Sequence, residues 1–114
     1  LAAIALPLNI HPALPRIRGV GHDVVPLVER HAAVGATLHR MAPVVDTGEI
    51  LGVEEAPLAP GHTHATLRTF NQGLSLRLLE RLCALLAASP GPAELEARLR
   101  ASGAAARHAW GAYY

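Results

Sequence analysis

Ala2-Ala-Ile-Ala-Leu-Pro-Leu-Asn-Ile-His11, continued by Pro12-Ala-Leu-Pro-Arg-Ile-Arg-Gly19, is the stretch on which the fold turns. Its first part is an unbroken apolar run, too short for an ordinary helix and interrupted by Pro7. Such a run reads as a strand, here over Ala2 to Ile10, buried on both faces of a parallel sheet. Strands of that kind need helices packed around them, so the expected class is α/β. Pro12 and Pro15 remove backbone donors and Gly19 permits a sharp turn, so an irregular loop leaves the carboxyl end of the strand. In open α/β sheets that edge is where ligands sit, and Asn9 and His11 stand on it.

Working outward, Asp23 reads as the N-cap of a short helix running to about Ala33, with Pro26 in its first turn and Gly35 as its stop. Ala36 to Met41 alternates as a strand, Ala42-Pro-Val-Val-Asp-Thr-Gly48 is a connection that carries Asp46, and Ile50 to Leu58 is the next strand. Together they form a long hairpin. Thr63 caps the best-supported helix, in which Leu67, Phe70, Leu74, Leu78, Leu82 and Leu85 keep helical spacing to about Ala88. Ser89-Pro-Gly-Pro92 stops it, Ala93 to Arg100 is a weaker amphipathic helix, and Gly103 to Tyr114 has no clear period. Residues 89–114 therefore read as a C-terminal extension to a unit spanning 1–88.

Composition removes several function classes. The chain has 114 residues, 51% hydrophobic and 17% charged, with mean hydropathy +0.26, which is one packed core rather than a disordered tail. All ten basic residues are Arg, so lysine nucleophiles and Schiff bases are excluded. A net charge of +1 with no basic run gives a nucleic-acid partner no electrostatic support. The single cysteine, Cys83, excludes an internal disulfide and a Cys-cluster zinc site, and reads as a small buried hydrophobe. No apolar stretch is long enough to span a membrane and Leu1 to Leu8 lacks a basic leader, so a cytoplasmic protein is expected. The chain opens on Leu inside an apolar segment, which reads as a fragment of something longer.

Asn9, His11 and Asp46 supply one amide donor, one imidazole and one carboxylate on loops or strand ends. A carboxylate beside an imidazole favours its charged form and orients it, while amide and imidazolium can both donate to an oxyanion, a set suited to acyl transfer. Each residue also has a plain structural reading: Asn9 satisfying a strand-end carbonyl, His11 capping a turn, Asp46 closing an Asx-turn with Thr47-Gly48. His39 reads as strand packing. His62-Thr-His64 has no carboxylate or Cys nearby in sequence, so no metal site is expected. Trp110, Tyr113 and Tyr114 read either as a docking surface or as the start of a truncated element.

Leu8-Asn-Ile-His-Pro-Ala13, Leu14-Pro-Arg-Ile-Arg-Gly19, Gly35-Ala-Thr-Leu-His39 and Val45-Asp-Thr-Gly-Glu-Ile-Leu51, in that order and at those intervals, together resemble the 10-formyltetrahydrofolate-dependent formyltransferases. The resemblance covers about residues 4 to 88. It implies the C-terminal half of a Rossmann-like catalytic domain, a sheet with an antiparallel hairpin and flanking helices. It also implies 10-formyltetrahydrofolate as formyl donor and a small amine as acceptor. Asn9, His11 and Asp46 match the catalytic positions, and Val45, Asp46, Thr47 and Gly48 the folate-contacting loop. Read from the residues themselves, Arg16, Arg18 and Arg40 flank this site, either to hold an acceptor's phosphate or carboxylate bidentately or as plain solvated loop charges, and Arg16 and Arg18 are taken as the acceptor-binding pair. The loop after His11 is one residue shorter than the common His-Pro-Ser-Leu-Leu-Pro form, which speaks against transfer RNA or a purine precursor as acceptor. The family's earlier strand-helix units have no counterpart in these residues, so a missing N-terminal segment or self-association is expected to complete the sheet. The alternative is a non-catalytic remnant or binding module of the same fold.

Overall fold

A computed structural model describes residues 6–44 and 46–114. Its centre is a three-stranded sheet of β1 (Leu8–His11), β3 (Ala33–Arg40) and β4 (Ile50–Pro57), in the order β1-β3-β4. The hairpin falls where the alternation places it. Both pairings are antiparallel: Asn9 lies opposite His39 and His11 opposite Thr37, while Ala36 faces Glu54 across the hairpin. The parallel neighbours expected for the first strand are therefore not among its described partners. An apolar run reports cover on both faces, not strand direction, and even that cover is partial, since Asn9 is exposed. The first half of the expected strand, residues 2–5, lies outside the described residues.

β3 is the most buried strand, with Val34 to His39 all inside. Gly35 was expected to stop a helix, but it sits within this strand because there is no room there for a side chain: an added Cβ would lie 2.1 Å from the Glu54 carbonyl oxygen. The helix expected from Asp23 to Ala33 shrinks to one turn, α1 (Val25–Val28), with no side-chain cap. Asp23 is drawn away from the helix end by His64, whose Nε2 is 3.1 Å from its Oδ2. Arg30, at φ 53°, then turns the chain into β3.

α2 (His64–Ala88) runs over one face of the sheet and starts at Thr63, where Thr63 and Thr66 form a reciprocal capping box. Leu67, Leu74 and Leu78 bury against Val34, Ala36, Leu38 and Leu51, with Leu95 and Leu99 of α3 (Pro92–Ala101) closing the core. Each such leucine stabilises the fold by roughly 1.5–3 kcal/mol. Cys83, expected inside, is exposed, because the buried stripe of α2 passes through Leu78 and Leu82 and leaves position 83 on the solvent face. Three short elements were not foreseen: α4 (Ala104–Arg107), β5 (Ala112–Tyr113), and β2 (Ile17–Arg18), which lies inside the segment expected to be irregular and is strand only because β5 pairs with it in parallel. Among the described residues no helix is long and apolar enough to cross a membrane.

Candidate active site

β1 ends on His11, which is 3% exposed, and alternation along the strand puts Asn9 on the same side but out in solvent. The His11 Nε2 lies 2.5 Å from the carbonyl oxygen of Ile17. A carbonyl only accepts, so Nε2 carries the hydrogen and the other ring nitrogen faces inward. That nitrogen, Nδ1, is 3.6 Å from Oδ1 of Asp46, close enough for charge attraction but beyond hydrogen-bond length. Nδ1 is thus left free to engage a third atom.

Asp46 is held by the backbone rather than by its own turn. The Gly19 N–H donates to its Oδ2 at 2.8 Å, joining two loops 27 residues apart, and Asp46 itself sits at φ 53°. The loop behind it has no slack, since a Cβ on Gly48 would stand 1.5 Å from the Arg40 carbonyl oxygen. α3 holds the same loop through a two-toothed ion pair between Arg100 and Glu49, while Arg40 pairs with Glu96. The Arg100 hydrogen bonds are the main reason the Glu49 carboxyl is held below its ordinary value.

His39, expected as packing, is the fourth member of the cluster. Its register opposite Asn9 brings its Nε2 to 3.2 Å from the Asn9 amide nitrogen, and the same atom is 3.8 Å from Oδ1 of Asp46. Burial pushes the His39 imidazole below its ordinary value; the Arg40 carbonyl and Asp46 oppose that shift and His11 adds to it. Burial likewise lowers His22, whose ring stands edge-on to His11 at 6.3 Å, against the pull of Asp23.

The C-terminal segment completes the wall. Trp110 meets the His11 ring at 5.9 Å and the His39 ring at 5.1 Å, both edge-on, and its indole N–H donates to the Gly48 carbonyl at 2.7 Å. β5 ties this segment down beside β2, with Gly111 donating to Pro15 and Tyr114 to Arg18. Of the sequence-derived residues, Asn9, His11 and Asp46 come together, Thr47 and Gly48 lie in the same loop, and Val45 lies outside the described residues. Arg16 is exposed and reaches the Ala33 carbonyl at 3.5 Å. Arg18 spreads over the Tyr113 ring, 5.6 Å from its centroid, and its buried Nε has no hydrogen-bond partner. Sequence reasoning missed His39 and Trp110: the first is legible only once strand register is known, and the second sits in a segment with no period.

No family model matches the chain. It is 38% identical over 93 residues to a methionyl-tRNA formyltransferase of Paracidovorax citrulli, an overlap covering 76% of this chain and 28% of that protein. Its fold resembles a sugar N-formyltransferase from a Shewanella species, with TM-score 0.66 and 25% identity over 94% of this chain and 39% of the other. It also resembles a sugar 3N-formyltransferase solved in the presence of dTDP and 5-N-formyl-THF, with TM-score 0.65 and 25% identity over 68% of this chain and 29% of the other. The chain spans 28% of the length of the curated relatives it matches. In sequence and in fold, this chain is a relative of the formyltransferases.

Proposed function

We propose that the chain is the catalytic-residue-bearing, C-terminal half of a formyltransferase catalytic domain, which moves a formyl group from 10-formyltetrahydrofolate to an amine in the cytoplasm. The observation that carries the reading is the arrangement of His11: one ring nitrogen is anchored on Ile17, the other faces Asp46, and the exposed Asn9 carboxamide stands on the same edge. Two donors beside a buried carboxylate are what acyl transfer to an amine requires, and this donor set fits a formyl group.

The donor supplies an activated formyl carbon. Asn9 offers an amide hydrogen, and His11 in its imidazolium form an Nδ1–H, to the carbonyl oxygen as the amine nitrogen bonds to that carbon and negative charge builds on the oxygen. Asp46 supports the charged His11 and, directly or through a water, takes the proton from the attacking amine and hands it to the departing nitrogen as the old carbon–nitrogen bond breaks. Thr47 and Gly48, following Asp46, form the donor-side loop. Arg16, the more exposed of the two candidate arginines, meets an anionic group on a small acceptor, while Arg18 braces Tyr113. No nucleic acid is needed as partner.

Among the described residues β1 has no neighbour beyond β3, and Leu76 and Leu79 of α2 are exposed beside Ile10. That open edge is where the remainder of a catalytic domain, or a second chain, packs. Two experiments test the reading. Titrating the labelled chain with 5-formyltetrahydrofolate should move the NMR signals of Asn9, His11, Thr47 and Gly48. Replacing the matching segment of the Paracidovorax citrulli relative with this chain should give an enzyme that releases tetrahydrofolate in the presence of an amine, and His11→Ala should silence it. A folded chimera that binds the donor and transfers nothing refutes the proposal.

A further inference from the structure

We propose that His39 is a positioning residue: through its Nδ1–H tautomer it turns the Asn9 carboxamide so that an amide hydrogen, not the amide oxygen, faces the cleft. The inference rests on the reading of Asn9 as an oxyanion donor and specifies what sets that donor. His39 Nδ1 is 3.2 Å from the Arg40 carbonyl oxygen, which can only accept, so Nδ1 bears the hydrogen. In the neutral ring Nε2 then carries a lone pair, and the atom 3.2 Å from it is Nδ2 of Asn9. The amide therefore donates one of its two hydrogens to His39. Turned over, it would set its oxygen against that lone pair and lose the bond.

The second Nδ2 hydrogen makes no bond among the described residues, and Asn9 is exposed, so that hydrogen is available to a reacting oxygen. A protonated His39 would reverse the arrangement, because an Nε2–H meeting an amide N–H forces the carboxamide over. Burial of His39 at 3% exposure works against that state. The charged or titratable groups facing the ring are Asp46, at 3.8 Å, and His11 beyond it, with Trp110 edge-on at 5.1 Å filling the remaining side. Direct cross-strand pairing of positions 9 and 39 makes this geometry a property of the sheet and not of a mobile loop.

The test uses the 114-residue chain and reads the hydrogen bond, not turnover. Long-range nitrogen–proton NMR of the wild type should show His39 protonated at Nδ1 and bare at Nε2, and the two Asn9 side-chain hydrogens should be well separated in shift. His39→Phe, which keeps the ring and removes the acceptor, should collapse that separation while the Trp110 indole signal stays in place. His39→Gln, which restores an acceptor, should recover it. In the chimeric enzyme His39→Phe should lower kcat by ~10²-fold, the scale of one oxyanion donor, with KM for the folate little changed. A wild-type His39 protonated at Nε2, or Asn9 signals unmoved in a folded His39→Phe chain, overturns the inference. Loss of donor binding with the tautomer intact would instead count against the function proposed for the site.

Discussion

Replacing Trp110 by Ala tests how much of the site depends on the C-terminal segment. The indole makes two edge-on ring contacts, to His11 and His39, and such pairs contribute ~0.5–1.5 kcal/mol each beyond the area they bury. Its hydrogen bond to Gly48 adds about 0.5–1.5 kcal/mol, with no further penalty because the half-exposed Gly48 carbonyl can turn to water. The expected loss from these contacts is about 1.5–4.5 kcal/mol, a large share of the roughly 5–15 kcal/mol that holds a domain of this size. Trp110→Phe keeps the ring and drops the N–H, so it should cost only ~1 kcal/mol. Urea unfolding followed by far-ultraviolet circular dichroism measures both, since removing the chain's one tryptophan also removes its fluorescence probe. The Gly48 and Asp46 amide signals should broaden in Trp110→Ala and stay sharp in Trp110→Phe. A Trp110→Ala chain within ~0.5 kcal/mol of the wild type, with those signals unchanged, would show that the indole rests on the site without holding it.

Other expectations follow from the same geometry. His39 has a folded pKa below its ordinary 6.5, so stability is fully present above pH 6.5 and is lost as pH falls through the folded value; in His39→Gln the urea midpoint should lose part of that acid dependence, leaving the share due to His22. Asp46→Asn keeps an oxygen for the Gly19 N–H but removes the charge facing His11, and should cost ~10²–10⁴-fold in formyl transfer by the chimera while the fold survives. Gly35→Ala should destabilise by about 2–3 kcal/mol, because its methyl would displace the Glu54 carbonyl, and denaturant titration will show it. Glu49→Gln should loosen the Asp46 loop at low salt and much less at high salt, read from the sharpness of the Asp46 amide signal.

The hairpin, the long helix and its Thr63 cap were all legible, because period-2 and period-3.6 patterns and capping chemistry are local. Asn9, His11 and Asp46 were legible as residue types on strand ends and as a motif match. Their meeting depends on contacts between distant segments, such as the Gly19 amide on Asp46, which no local pattern carries. Asp23 misled as a cap because its carboxylate had a better partner in His64, 41 positions on. Gly35 misled because glycine marks both turns and close strand approaches, and only the neighbouring strand distinguishes them. His39 looked like packing because a histidine buried on a strand gives the same sequence signal whether or not it meets an amide across the ladder.

The parallel ribbon of Ile17–Arg18 with Ala112–Tyr113, and the indole that arrives with it, join segments made far apart in time as well as in sequence. Loop closure of that length is slow compared with forming a hairpin or a helix. During synthesis at ~5–20 residues per second, His11 waits on the order of 5–20 s for Trp110 to be made. Late in that interval, once the chain has been made past Ala88, it has its sheet and long helix but an open, wet histidine pair. The site thus belongs to a late stage of folding, and a ribosome stalled upstream of Trp110 would display a scaffold whose chemistry has not yet been enclosed.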